Sequence, residues 1–402
     1  MYLPVIQRFL GLMLIPFSLT MLPPMLLSLW YGDGALVPFV LAFLLISLSG
    51  LYLWWPVRSV RRELRLRDGF VVVSLFWTVL SFVSALPLML TEHPHMRLTD
   101  AVFESVSGFT TTGATVLVGL DHLPPSINYY RHQLHWLGGM GIVVLALAIL
   151  PMLGVGGMQL YRAEVPGPTK DKFTPRLAET AKALWYIYLG LTAACALAYW
   201  SAGMTPFDAI AHSFATLSTG GFSMHDASIG HFQSPLIEGV SIVLMVLAGA
   251  NFALHFSAWQ SLSLRPYRGD PEFRAYLVFL GSASAITIGY LYLTHTFEDL
   301  FSDLHHGLFQ VVSTATSTGF ITADFSQWPH FLPVLLIFLS FVGGRAGSTA
   351  GGIKVMRSLL LLKQGRREVM RLIHPNAQIP VKIGNQMLPE RVVDAVWGFF
   401  AA

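Results

Sequence analysis

The stretch Asp100-Ala-Val-Phe-Glu-Ser-Val-Ser-Gly-Phe-Thr-Thr-Thr-Gly113 decides how this chain is read, because its pattern returns twice. It reappears as Asp208-Ala-Ile-Ala-His-Ser-Phe-Ala-Thr-Leu-Ser-Thr-Gly-Gly221 and as His306-Gly-Leu-Phe-Gln-Val-Val-Ser-Thr-Ala-Thr-Ser-Thr-Gly319. The copies align without a gap and lie roughly a hundred residues apart, the scale of a whole module. Each is a short amphipathic segment that breaks into Ser, Thr and Gly. Hydroxyl side chains compete for the backbone there, and Gly costs about 1 kcal/mol in a helix, so regular structure is expected to stop in the run.

The surroundings are those of a membrane protein. Hydrophobic residues are 54% of the 402 and charged residues only 12%, about half the share of a soluble domain. Mean hydropathy is +0.59. Apolar runs near the length that crosses a bilayer, about 20 helical residues, predict spans at 4–31, 36–56, 70–90, 131–153, 181–201, 235–262, 274–294 and 331–362. The first is read as a retained helix and not a leader, since its apolar core is long and no small-residue cleavage pattern follows. Cys195 is the single cysteine. It excludes an intrachain disulfide and reads as a small buried residue.

Charge sets the expected orientation. Of the 25 basic residues, Arg97 and Arg131 fall on one side and Arg345 inside an interrupted span. The other 22 gather at the N-terminus and at 58–67, 162–182, 265–274 and 354–391, the side that the positive-inside rule makes cytoplasmic. All three Ser/Thr/Gly segments then open outward, among twelve acids that include Glu104, Asp121, Asp208 and Glu238, a bias that attracts cations.

The predicted fold is an all-α polytopic membrane protein. Two extra transmembrane helices (1–57) and a basic linker (58–69) precede parallel helix–pore loop–helix repeats at 70–165, 181–268 and 274–365. A linker and the start of an incomplete fourth repeat occupy 366–402. Repeats that all run one way pack about an axis along the membrane normal, which places a cation pore at the centre. In the second helices, Gly138-Gly-Met-Gly141 and Ala248-Gly-Ala-Asn251 read as close packing. The third run, Gly343-Gly-Arg-Ala-Gly-Ser-Thr-Ala-Gly-Gly352, is too polar for that and reads as an unwound stretch that obstructs the path. Its likeness to a phosphate loop fails, because Lys354 is displaced by one residue, no hydroxyl follows it and no strand precedes it.

The chemistry suits an alkali cation. Removing such an ion from water costs tens of kcal/mol, which fixed oxygens must replace without trapping the ion. Backbone carbonyls do this, and Gly permits the backbone angles that aim several of them at one axis. The expected coordinating residues are Thr110, Thr111, Thr112 and Gly113, then Ser218, Thr219, Gly220 and Gly221, then Thr316, Ser317, Thr318 and Gly319. The expected gate comprises Gly343, Gly344, Arg345, Gly347, Ser348, Thr349, Gly351, Gly352 and Lys354. Arg345 either snorkels to the cytoplasmic interface or faces the cavity and repels cations. Glu104, His212 and Gln310 occupy matching positions and are expected to anchor loop backbone. His93, His95, His122, His305 and His306 are not expected to hold a metal, since adjacent imidazoles seldom converge. No nucleophile–base pair, acidic dyad or metal motif marks an enzyme.

The segments 111–113, 218–223 and 316–320 resemble the filter loops of the Trk/Ktr/HKT potassium transporters. The run 347–354 and the tail segments 374–377, 388–392 and 396–400 are similar to the membrane subunit of Trk-type bacterial uptake systems. The resemblance implies potassium as the transported ion, no covalently bound cofactor, four pore loops per subunit and a homodimer in the inner membrane with a cytoplasmic N-terminus. It further implies a TrkA-like cytoplasmic ring that binds nucleotide and NAD, contact with lipid and none with nucleic acid. The sequence stops at Ala402, before a fourth loop, so this length alone is expected to conduct no potassium. A non-conducting subunit that only dimerises or binds its regulator, a less selective Na+/K+ transporter, and a secondary transporter with a midplane site are the alternatives.

Overall fold

The computed structural model describes residues 3–60, 66–144, 173–374, 377, 379–383, 386–387 and 390–401. It is almost wholly helical. Five helical stretches are long and apolar enough to span a bilayer: Leu3–Tyr31, Leu36–Val57, Val71–Leu90, Ala181–Ser201 and Pro271–Leu293. A bent pair, Pro235–Ala248 and Phe252–Ser261, makes a sixth candidate. The end of the predicted fourth span, the first part of the basic stretch 162–182 and residues 61–65 lie outside the described residues.

The contacts divide the chain into two compact units, residues 1–139 with 195–233, and 140–194 with 234–402. The first unit opens with α1 (Leu3–Ser18), α2 (Leu22–Tyr31) and α3 (Leu36–Trp54). Helix α1 crosses α3 at Gly11 and Gly50, where a Cβ on Gly11 would lie 2.8 Å from the Gly50 carbonyl oxygen. Two glycines thus bring the backbones together, as bilayer helices do where lipid supplies no hydrophobic drive. Arg58 stacks its guanidinium over Trp55, 4.4 Å from the ring centre, at the end of the second span.

Helices α4 (Leu66–Ser84) and α5 (Leu86–Leu90) lead to the short α6 (Leu98–Phe109), and α7 (Pro125–Val144) follows. Phe17, Phe39, Leu80, Leu88, Phe109 and Leu134 belong to one buried core. The long α8 (Phe173–Ser201) carries the buried Cys195 and is followed by α9 (Pro206–Leu217), a second short helix. Thr205 caps α9, its hydroxyl accepting from the Asp208 amide at 3.1 Å while donating to the Asp208 carboxylate at 2.8 Å.

The second unit contains α10 (Pro235–Ala248) and α11 (Phe252–Ser261), bent by 98° across residues 249–251. The sequence read this Gly-Ala-Asn run as close packing inside one helix; here it is a break. Asn251 makes the new start, its Oδ1 accepting from the Ala253 amide at 2.7 Å. Short α12 (Arg265–Gly269) precedes α13 (Pro271–Leu293), then come α14 (Leu300–Ala315) and α15 (Leu332–Val342). Residues 343–354 are not helical, and α16 (Val355–Ile373) resumes beyond them. A small hairpin, β1 (Lys382–Ile383) with β2 (Gln386–Met387), and α17 (Glu390–Ala401) follow. Tyr276, Leu291, Val311, Trp328, Leu336 and Val355 are in the core of this unit.

Outward faces stay apolar. Trp30, Val37, Leu48, Val278 and Leu293 are exposed, which in a chain of this composition is a lipid-facing surface. The protein is an integral membrane protein.

Candidate functional site

Helices α6, α9 and α14 have 12, 12 and 16 residues, too few for a bilayer crossing at 1.5 Å per residue. Each ends where its Ser/Thr/Gly run begins, and all three end in the same way. The amide of Thr112 donates to the Ser107 carbonyl at 2.9 Å, that of Gly220 to Ala215 at 2.9 Å, and that of Thr318 to Ser313 at 2.8 Å. Each bond reaches back five residues across a left-handed residue, the geometry of a Schellman terminus. Left-handed residues there are usually Gly, yet these are Thr111 (φ 57°), Thr219 (φ 52°) and Ser317 (φ 55°). Such backbone costs a residue with a side chain about 1–2 kcal/mol.

Two residues later Gly113, Gly221 and Gly319 take φ of 79°, 82° and 86°. The residue between is not left-handed in any copy. Alternating the sign of φ along a strand turns successive carbonyls to one side, where uniform strand angles would alternate them. This lets a short loop present several oxygens together. Hydroxyls close the loops internally: Thr110 pairs with Thr112 and Thr316 with Thr318, each at 2.8 Å.

The first two loops lie against each other within the first unit. A Cβ on Gly113 would stand 1.9 Å from the Gly220 carbonyl oxygen. Gly138 is equally confined, since a Cβ there would stand 1.9 Å from the Phe109 carbonyl oxygen, so this glycine of the Gly-Gly-Met-Gly run serves close packing against the end of α6. Phe222 lies between the Arg131 guanidinium, 4.3 Å from its ring centre, and the His135 ring, stacked at 4.0 Å.

Matching residues of the short helices hold the chain beyond each loop. Glu104 accepts from the Thr115 hydroxyl at 2.9 Å and the Val116 amide at 3.2 Å. His212 meets the Ser223 hydroxyl at 3.0 Å, and Gln310 donates to the Ala323 carbonyl at 3.3 Å. All three act as loop anchors. Glu104 does more, since it is fully buried and ion-paired to Arg131 at 2.7 Å. The sequence placed Arg131 on the outer side, at the start of the predicted span 131–153. It lies within α7, which begins at Pro125, and its burial is sustained by Glu104 together with Asn128 (3.0 Å) and Thr115 (3.1 Å).

A second tie joins the segments that leave the first two loops. His225 Nδ1 meets Asp121 at 2.5 Å, Asp226 accepts from the Gly119 and Leu120 amides at 3.0 Å, and His225 lies 3.7 Å from Asp208. The hydrogen bond from His225 holds the Asp121 carboxyl below its ordinary range. Burial alone pulls the His225 pKa down, but Asp208 and Asp121 outweigh it and the net shift is upward. A raised imidazole pKa gives stability that is complete below its unfolded value, about 6.5, and lost as pH rises through the folded value. Amide exchange of 119–122 and 224–228, corrected for intrinsic rates, should therefore accelerate above neutral pH. The extra acceleration should vanish in His225→Gln.

The glycine-rich run docks into the break between α10 and α11. The Arg345 amide donates to the Gly249 carbonyl at 2.9 Å, the Phe252 amide to Gly347 at 3.1 Å, and Asn251 Nδ2 to Ala346 at 2.8 Å. The Thr349 hydroxyl reaches the Ala248 carbonyl at 3.3 Å. Gly343, Gly347, Gly352 and Lys354 all have positive φ. The run also touches the third loop, where the Ser317 hydroxyl accepts from the Gly351 amide at 2.5 Å. Gly344 packs on Gly249, Ser348 donates to the Arg345 carbonyl at 2.7 Å, and Lys354 Nζ donates to the Ala350 carbonyl.

Among the described residues Arg345 is almost fully enclosed, 1% exposed. Its side chain is buried and bound to Glu272 at 2.7 Å and Asp270 at 3.1 Å, both at the start of α13. Glu272 also accepts from the Ala346 amide at 3.3 Å. Two carboxylates from a distant part of the sequence thus supply what the snorkelling reading sought in solvent.

Short helices that end in loops with paired left-handed residues, and a polar non-helical run between two helices, are features of a membrane protein that handles ions. A family model described as "TrkH: Cation transport protein" matches residues 37–402, and the chain belongs to that family. It is 55% identical over 400 residues to the Trk system potassium uptake protein TrkH of Vibrio parahaemolyticus, covering 99% of this chain and 82% of that protein. The TrkH of Escherichia coli K12 is 54% identical over 403 residues, covering 100% and 83%. The crystal structure of the potassium transporter TrkH from V. parahaemolyticus superposes with a TM-score of 0.92 at 51% identity, over all of this chain and 83% of that one.

Proposed function

We propose that this protein takes up potassium across the bacterial inner membrane, with its N-terminus in the cytoplasm. The filter is formed by backbone carbonyls of Thr110, Thr111, Thr112 and Gly113, of Ser218, Thr219, Gly220 and Gly221, and of Thr316, Ser317, Thr318 and Gly319. The repeats at 70–165, 181–268 and 274–365 each contribute one such loop to a common axis. The reading rests above all on one observation: three distant segments share a left-handed residue after a short helix and a left-handed Gly two residues on. The names of the relatives supply the ion, and their membership of a Trk system suggests the partners. Those partners are a second copy of the chain and a TrkA-like cytoplasmic ring.

The run of Gly343, Gly344, Arg345, Gly347, Ser348, Thr349, Gly351, Gly352 and Lys354 gates the path. Its docked form is held by the Arg345 clamp and by Ser317. The test is rubidium uptake into liposomes holding the full-length protein, with sodium as competitor. Rubidium flux blocked by potassium but not by sodium supports the proposal; no flux, or equal block by both, refutes it.

The clamp carries its own prediction. Removing one partner of a buried pair costs about 3–5 kcal/mol, so Arg345→Met should undock the run and raise basal flux. Glu272→Gln should do the same if the clamp matters. Were Arg345 acting by repulsion, Glu272→Gln would strengthen its field and lower flux instead.

A further inference from the structure

We infer that Glu238, His305 and His306 form a binding site for a divalent cation of the zinc class. The three residues come from the first turn of α10 and from α14, both in the second unit. One donor atom from each lies within 4.8 Å of the other two. Adjacent imidazoles usually diverge, but here the two rings sit 3.9 Å apart at 46°. Phe301 lies 5.2 Å from the His305 ring and Phe297 lies 4.9 Å from that of His306, so neighbouring rings pack both imidazoles in place.

The donor set fits the ion. Two imidazoles and a carboxylate suit a borderline first-row cation, with a fourth position for water. Bonds of about 2.0–2.2 Å in a tetrahedral array space the donors roughly 3.3–3.5 Å apart. His305 Nδ1 and Glu238 Oε2, now 2.9 Å apart, need open only a little. The proton they share leaves as the metal enters, so binding releases it to solvent. His306 Nδ1 bonds the Thr322 hydroxyl at 3.1 Å, which leaves Nε2 as the ligand and fixes the ring by its other nitrogen, as ligating histidines commonly are.

Burial argues for a cation too. The Glu238 side chain is 5% exposed, and among the described residues its one ion-pair partner is His305, with no lysine or arginine. A carboxylate so enclosed is better matched by a dication than by a neutral imidazole. Thr322 lies three residues beyond Gly319. An ion here would therefore link the start of α10 to the segment leaving the third loop.

The test uses full-length protein in detergent with any affinity tag removed, titrated with Co2+ and then Zn2+. One Co2+ per chain with visible bands of tetrahedral intensity, displaced by Zn2+, is expected. Loss of even a supporting hydrogen-bond partner costs about 10–100-fold in metal affinity, so His306→Gln and Glu238→Gln should each weaken binding by at least about tenfold. Unchanged thermal melting confirms that the variants fold. Absence of saturable binding overturns the proposal. So does binding that both variants leave intact, or that His225→Gln abolishes, which would move the ion to the Asp121, His225 and His231 group of the first unit.

Discussion

Gly113→Ala in the full-length protein abolishes growth of a potassium-uptake-deficient bacterium at low external potassium, while Gly319→Ala retains part of it. Both glycines have positive φ, 79° and 86°, and alanine there costs about 1–2 kcal/mol. That strain alone is close to a tenfold effect, since each 1.4 kcal/mol is about tenfold. The two positions differ in space. A Cβ at 113 meets the Gly220 carbonyl oxygen at 1.9 Å, whereas at 319 no atom of its own unit lies within 4 Å. Backbone must move to admit the first, and the oxygen displaced belongs to the facing loop. Rubidium uptake should fall below about 1% of the parent rate for Gly113→Ala and by roughly tenfold for Gly319→Ala. Equal losses would mean that angle, and not room, limits both.

Arg131→Met produces the largest loss of stability. It leaves Glu104 fully buried with its charge uncompensated, a change that costs about 3–5 kcal/mol. It also removes the stack on Phe222 and the bonds to Asn128 and Thr115. Thermal melting and yield of the detergent-solubilised protein should both drop. Adding Glu104→Gln should recover part of the loss, because a neutral amide tolerates burial and still accepts from Thr115. Double-mutant additivity, with no recovery, would show that the pair is not a unit.

Sequence and structure part company along one line. Features set by local backbone were partly legible: Gly113, Gly221 and Gly319 announced their unusual angles and five glycines in ten residues announced the unwound run, but the left-handed Thr111, Thr219 and Ser317 were not foreseen. Side-chain pairings between distant positions were not. Arg131 and Glu104 are 27 residues apart, Arg345 and Glu272 are 73 apart, and Glu238 and His305 are 67 apart. No periodicity records such partnerships. Arg131 was accordingly read only as an outer-side base at the start of a span, Arg345 as facing a cavity or an interface, and the paired histidines as side chains that would not converge. The Gly-Ala-Asn break misled for a different reason. Small residues serve both close packing and chain reversal, and the Asn251 cap, a local bond to the Ala253 amide, tells them apart.

The docking of residues 343–354 into the kinked helix has a consequence for hydration. Lifting the segment away orphans the Gly249 carbonyl, which now receives the Arg345 amide, and the Phe252 amide, which now donates to Gly347. Neither group tolerates being left bare away from solvent. Undocking must therefore admit water molecules to the elbow as polypeptide leaves. Osmolytes too bulky to follow that water would then favour the docked arrangement.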